Sequence, residues 1–397
     1  RTGSYILRLK GDNSESIAFK YFTLNVNAGF DEGIVILSND EADASSLTFI
    51  KTLTAEERER GEERVIPMNT FGDFSPGKAL FMSDFTDSGV QDAYGNSMQF
   101  TALLVATDDA DGTLYHIEPK SMELNTRLKM KSIAGTSCIG FAGEYSRVHS
   151  FTAYLFGSDG YLYQYDMESG GSVSRIEEID RMEHVYQMTT AESPPGVTRY
   201  PAFFNTQAAG IRRSSSQGTK FFRPEGWSIV NMGISRSSYS NIYILLRNNA
   251  NSSRYKIVSQ SYSTFGRDGY ERELLEFENP DLKMDSHSKM VGVKKLNDLY
   301  YVYDNAIYRW GLTAQPSLSP AITLPDGEFV RDMCTNLLGK DKRDDGEDKL
   351  IIATYNPARS GKKGSVYIYD VLTQQLDERF EGICDDPAAV IYKYRLN

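Results

Sequence analysis

A two-stranded unit recurs along this chain: an apolar run, a short turn rich in Asp, Asn and Gly, and a second run rich in aromatic residues. In order the copies read GIVILSNDEADASSLTFI, LLVATDDADGTLYHIEPKSMEL, AYLFGSDGYLYQYDMESGG, AFFNTQAAGIRR, IYILLRNNANSSRYKIVS, LYYVYDNAIYRWGLTAQ and LIIATYNPARSGKKGSVYIYDVLTQQL, the fourth being the weakest. Their first strands begin near Ile34, Leu103, Ala153, Ala202, Ile242, Leu299 and Leu350, at intervals of 69, 50, 49, 40, 57 and 51 residues. A period of this size built from short alternating strands is the signature of four-stranded propeller blades, which run to roughly 40 to 50 residues each. The spacing therefore predicts an all-β fold, a seven-bladed β-propeller over residues 30–397.

Each unit should carry one further strand on either side of its hairpin. TSCIGFA, SIVNMGIS, KMVGVKK and FVRDMCTN are candidates for the strand before, and SVSRIEEI and ERELLEFE for the strand after. The segment AAVIYKYRLN near the C-terminus alternates Val390, Tyr392 and Tyr394, and is expected to close the ring against strands near the N-terminus, because closure hides edges that would recruit other chains. Helical periodicity is scarce. The best helix candidate, TAEERERGEER, offers a capping box between Thr54 and Glu57 and a pair between Glu56 and Arg60, and its lack of an apolar face makes it a solvated excursion.

The motif Tyr-x-Tyr-Asp occurs at Tyr163–Asp166 and again at Tyr367–Asp370. A short acceptor at the end of a strand bonds the turn it opens, so Asp166 and Asp370 read as turn residues. The tyrosines, two residues apart, share a sheet face; packing between blades is the simpler reading and a sugar-stacking platform the sharper one.

Composition excludes some functions. A net charge of -11 disfavours nucleic acid, which needs a basic face. The one basic loop, with Arg212, Arg213, Lys220 and Arg223, reads as solvated. No run approaches the roughly 20 apolar residues of a membrane-spanning helix. Cys138, Cys334 and Cys384 have no zinc-ligand spacing and read as buried thiols, with a bond between Cys334 and Cys384 left open. The four histidines, at 116, 149, 184 and 287, lack metalloprotease spacing, and the nucleophile-elbow and phosphate-loop motifs are missing. No catalytic residue is therefore assigned. A triad assembled across blades would escape such a search.

Two loops invite a closer look. In GKDKRDDGEDK, Asp341, Asp345 and Gly346 resemble the opening of a calcium loop, but Arg343 stands at the third position and Ile352 at the twelfth, where oxygen ligands belong. Calcium is thus a weak candidate and no other cofactor is expected. The acidic stretch DFTDSGVQDAYGN reads as an irregular connection. The hairpin turns themselves gather Asp108, Asp109, Asp111, Asp159, Asn248, Asn249 and Asp304. Equivalent turns of a propeller share one rim, so together they form a candidate ligand-binding ring of acids and amides suited to polyhydroxylated ligands.

The junction GSYILRLKGDNSESIAFKYF followed by FTLNVNAGFDEGIVILSNDEADASSLTFI resembles the PKD-like lipoproteins of Bacteroides and relatives, through Glu32, Gly33, Val35, Ile36, Leu37 and Ser38, then Leu47 and Phe49. The late segment DDGEDKLIIATYN with GSVYIYD is similar to the C-terminal region of that family. The resemblance implies that residues 1–29 are the last strands, a β-hairpin remnant, of a PKD-like, immunoglobulin-like domain, with a leader and most of that domain upstream. It implies an outer-membrane lipoprotein of the cell envelope, touching the membrane only through an upstream lipidated Cys; the chain is expected to be a monomer. Such proteins are often encoded beside glycan-uptake systems. The expected function is non-catalytic: binding or scaffolding, with a glycan or an envelope protein as partner. A propeller enzyme acting on a polysaccharide, as a glycoside hydrolase or lyase, and a structural spacer are the alternatives.

Overall fold

The computed structural model describes residues 3–12, 17–26, 29–30, 32–72, 76–91, 97–143, 152–166, 172–176, 187–193, 198–212, 218–234, 241–293, 296, 298–336 and 348–393. Its strands form seven antiparallel sheets in a ring, six of four strands and one of three, beside a separate two-stranded hairpin. This is the seven-bladed β-propeller that the spacing predicts. Blade 1 joins the closing strand Asp386–Lys393 to Gly33–Asn39, Ser45–Lys51 and Val65–Met68. Blade 2 is Ala79–Gln91, Ser97–Thr107, Thr113–Glu118 and Glu123–Lys129, and blade 3 is Cys138–Gly143, Thr152–Gly157, Leu162–Asp166 and Ser172–Arg175. Blade 4 is Gln187–Ser193, Thr198–Phe204, Ala209–Arg212 and Thr219–Phe222, and blade 5 is Trp227–Ile234, Asn241–Asn248, Arg254–Ser261 and Arg272–Glu278. Blade 6 has Met290–Val293, Asp298–Tyr303 and Ala306–Trp310; blade 7 has Phe329–Thr335, Lys349–Tyr355, Gly364–Asp370 and Gln375–Cys384.

The middle strands explain why the repeat is so legible. Successive side chains of a strand point to opposite faces, and here both faces meet a neighbouring blade. Val35 and Leu37 join a core shared with blade 2, whereas Ile34 and Ile36 join one shared with blade 7. Likewise Leu350 and Ile352 face blade 6 while Ile351 and Ala353 face blade 1. The result is seven separate apolar clusters, one at each blade junction. Tyr163 and Tyr165 are buried in the cluster between blades 2 and 3, and Tyr367 in that between blades 6 and 7, with Tyr369 packed against it. Packing accounts for the repeated tyrosines.

Three expectations need correction. Among the described residues blade 6 lacks a fourth strand: the chain after Trp310 runs through Pro316, Pro320 and Pro325, which supply no backbone N–H to a ladder. That segment covers the edge irregularly instead, Ser317 donating its N–H to the Arg309 carbonyl at 2.9 Å and Ala321 to the Ile307 carbonyl at 2.7 Å. The stretch DFTDSGVQDAYGN is no irregular connection, since most of it lies in the long strand Ala79–Gln91, which pairs with Ser97–Thr107. The helix Ala55–Glu59 forms with the expected capping box, but the Arg60 guanidinium pairs with the Glu62 carboxylate at 2.7 Å and meets Glu56 through its backbone N–H, which donates to the Glu56 carbonyl at 3.1 Å.

The hairpin Gly3–Asp12 with Ile17–Val26 pairs only with itself among the described residues, and Ile6, Leu7, Leu9, Tyr21 and Phe22 are exposed on it. No disulfide joins the three cysteines among the described residues; Cys138 and Cys384 are buried, and Cys334 packs against the cluster containing Cys384. No helix among the described residues is long and apolar enough to cross a membrane.

Candidate functional site

Because blades are related by rotation about the ring axis, the turns between second and third strands share one rim. The rim turns are built alike. In blades 1 to 5 and 7 a side-chain acceptor opens the turn and takes backbone N–H groups two to four residues on, which stabilises the turn without a partner from outside. Asp109 accepts from Asp111 at 2.9 Å and Thr113 at 3.1 Å; Asp159 accepts from Tyr161 at 3.2 Å; Asn248 accepts from Ala250 and Asn251, both at 2.9 Å. Asp40, Asn205 and Asn356 do the same in blades 1, 4 and 7. Burial alone would push the Asp109 carboxyl up, but hydrogen bonds from Thr113, Thr107 and Asp111 outweigh it and hold the group below its ordinary value.

The other candidate rim residues are placed as follows. Asp108 and Asp111 lie at the surface beside Lys131, at 3.7 Å, and Lys129, at 2.7 Å. Asn249 accepts from the Ser228 hydroxyl at 2.6 Å, and Asp159 also accepts from the Tyr163 hydroxyl at 2.6 Å. Asp304 and Asn305 have φ of 46° and 61°, the left-handed pair of a two-residue hairpin turn that Asp and Asn tolerate. Asp341 and Asp345, the calcium candidates, lie outside the described residues. Among the described residues no three His, Cys, Asp or Glu side chains gather as a metal site.

This rim carries a concave site. A cleft of about 280 Å³ opens between blades 6 and 7, lined by Asp285, His287 and Lys289 before the inner strand of blade 6, by Val302, Tyr303 and Asp304 at its hairpin turn, and by Val330, Arg331, Asp332 and Met333 of the next inner strand. Its walls are firmly tied. The Asn231 amide of blade 5 donates to the Asp285 and Ser288 carbonyls, each at 2.9 Å, fixing the connection that carries Lys289. Asn305 accepts from the Val330 N–H at 2.7 Å and donates to the Glu328 carbonyl at 3.1 Å, locking the turn to blade 7.

Asp332 is the floor of this cleft and joins three blades. It is 3% exposed, accepts from its neighbour Met333 at 2.7 Å, from Val390 of the closing strand at 2.7 Å, and pairs with Lys289 of blade 6. Asn231 repeats the local geometry in blade 5, accepting from Met232 at 2.8 Å beside a bulge at the same point of the strand. Arg331 forms a two-pronged pair with Asp386 at 2.6 and 3.0 Å and lies over the Tyr355 ring at 4.9 Å. Of the cleft residues, the ring of turn acids predicted from sequence contributes Asp304 alone. The others come from strands and connections that do not repeat, although the paired sequences Asn231-Met232 and Asp332-Met333 were a visible clue.

No family model matches the chain, and no curated protein matches it. Among solved structures, Saccharomyces cerevisiae Sqt1 is similar at 9% identity and a TM-score of 0.47, over 89% of this chain and 87% of that one. Chaetomium thermophilum Raptor is similar at 12% identity and a TM-score of 0.46, over 76% of this chain. The matched part is 24% of the length of Raptor.

A further network stiffens the rim next to the cleft. Glu328, its side chain 1% exposed, accepts from the Thr354 hydroxyl, from Asn356 at 3.1 Å and from Arg359 at 2.8 Å. Arg359 in turn bonds Ser365, and Tyr367 donates to Glu381 at 3.1 Å. At the opposite end of the same blade, Asp370 pairs with Lys349 and accepts from the N–H groups of Leu372 and Thr373 at 2.8 Å. Lys349 and these donors lower its pKa from 3.8 to about 2. A depressed carboxylate stabilises the fold above the unfolded-state pKa and loses that effect as pH falls towards the folded value. Asp370→Asn should accordingly be less stable than the parent at pH 7, by roughly 1 kcal/mol after allowing for solvent screening. The difference should shrink between pH 4 and pH 2. Urea midpoints at both pH values test this; a difference independent of pH would refute the charged pair.

Proposed function

We propose that the protein is a non-catalytic binding or scaffolding module that works outside the cytoplasm, in a cell-envelope assembly concerned with polysaccharide uptake, and that the rim with the cleft is its working face. One observation carries the binding reading: the polar groups of this rim are spent on holding shape. Asp109, Asp159, Asn205, Asn248 and Asn356 accept from their own turns, and Lys289 and Arg331 are held by carboxylates. A rim so fixed suits the presentation of one rigid surface, which lowers the ordering cost of association.

The same observation favours a protein over a glycan as the partner, since a polyhydroxylated ligand would need those acceptors and amides turned outward. The envelope setting and the uptake system rest on the resemblance of the Glu32–Ser38 junction to PKD-like lipoproteins. An array of plant and host glycans, screened with and without calcium, tests the choice of partner, and fractionation of the producing cell tests the setting. Glycan silence is expected. Saturable binding of one glycan class would replace this reading with a carbohydrate-binding one.

A further inference from the structure

We propose that the cleft between blades 6 and 7 receives a lysine or arginine side chain of a partner protein; this rests on the reading of the rim as a protein-binding face. Size is the first argument. About 280 Å³ lies at or below the lower end of pockets for small molecules, and accommodates a single long side chain.

Charge is the second. Both cations of the cleft are already neutralised, Lys289 by Asp332 and Arg331 by Asp386. The carboxylates are not matched in the same way. Among the described residues Asp285 accepts from neutral donors alone, the His287 backbone N–H at 2.9 Å and the Ser288 hydroxyl at 3.2 Å. Asp304 is exposed on its turn and has no hydrogen bond or ion pair among the described residues. The unmatched charge in the cleft is therefore negative, on a chain that is itself acidic at -11. An acidic ligand would have to pull Lys289 from Asp332 or Arg331 from Asp386. The first exchange leaves a carboxylate 3% exposed without its cation, which is strongly unfavourable.

Apolar lining is the third. Val302, Tyr303 and Val330 are half-buried along the wall and Met333 is buried beneath them. Such a wall covers the aliphatic stem of Lys or Arg while the head stays with the carboxylates, and a tyrosine face attracts a cation.

The test uses the full chain labelled with 13C at Met and Val methyls. It is titrated with the capped peptides acetyl-Leu-Arg-Ala-amide, its Lys and citrulline counterparts, and its Glu counterpart. Saturable shifts at Met333, Val302 and Val330 are expected with Arg and Lys. Binding should weaken about tenfold with citrulline, which removes the charge alone. It should also weaken in Asp304→Asn, a substitution the left-handed turn accepts, and on raising the salt from about 0.05 to about 0.5 M. Equal responses to citrulline or Glu would overturn the assignment to a cation. A response at the cleft to Glu alone would overturn it while leaving the rim as a binding face. Silence of these methyls towards all four peptides would remove the assignment and the role of the cleft together.

Discussion

Truncation after Asp385 is expected to abolish cooperative folding at room temperature. The strand Asp386–Lys393 is the inner strand of blade 1 and pairs along the whole of Gly33–Asn39. Its alternate residues fill two cores: Ala389 joins the cluster between blades 1 and 2, and Val390 the one between blades 7 and 1. Its loss also strips Asp332 of the Val390 N–H, Arg331 of Asp386, and Glu32 of the Tyr392 hydroxyl. Together these exceed about 5 kcal/mol, a large share of the roughly 5 to 15 kcal/mol by which domains are stable. The strand left behind, with Ile34, Val35, Ile36 and Leu37 buried in the intact ring, would become an open apolar edge. Circular dichroism melts and size-exclusion chromatography of the truncated chain should show a lost transition and higher oligomers. A synthetic peptide of residues 386–397 added in trans should restore part of the transition. A truncated chain that melts with the parent would disprove the closure.

Glu328→Ala should cost about 3 to 5 kcal/mol, because removing one member of a buried ion pair leaves the other uncompensated. Arg359 would lose its carboxylate, and Thr354 and Asn356 would lose their shared acceptor. Glu328→Gln keeps the volume and one acceptor, so a smaller loss is expected. The double variant Glu328→Ala with Arg359→Met should be less destabilised than the sum of the single changes, since it removes the orphaned charge. Chemical denaturation of the parent, the three single variants (Arg359→Met included) and the double variant decides the matter. A single-variant loss within about 0.5 kcal/mol would mean that the network is solvated and contributes little.

The architecture was legible because the middle strands are buried on both faces and their turns are short. Leu103–Ala106 or Leu350–Ala353 admits almost no polar residue, and Asp or Asn must open the turn that follows. Strands near the ends of blades carry a weaker signal. Ala79–Gln91 was hidden by Asp84, Asp87 and Gly89, and the missing strand of blade 6 by an aromatic hairpin as regular as the others. The cleft was the least visible feature, for a physical reason: Lys289, Arg331 and Asp332 acquire their roles from partners across blade junctions, and those partners are far away in the chain. Asp386 is 55 residues from Arg331, and Val390 is 58 from Asp332. Turn acids such as Asp109 could be found because their partners are two to four residues away. For the same reason they are turn residues first.

The division of the apolar interior into seven junctions has a consequence for how the molecule fails. In a linear array of repeats, an end unit peels away by breaking one contact with its neighbour, and unfolding proceeds unit by unit. A ring has no end unit. To release any blade, two junctions must open at once, so partial unfolding is penalised twice and the described propeller should come apart in a single step.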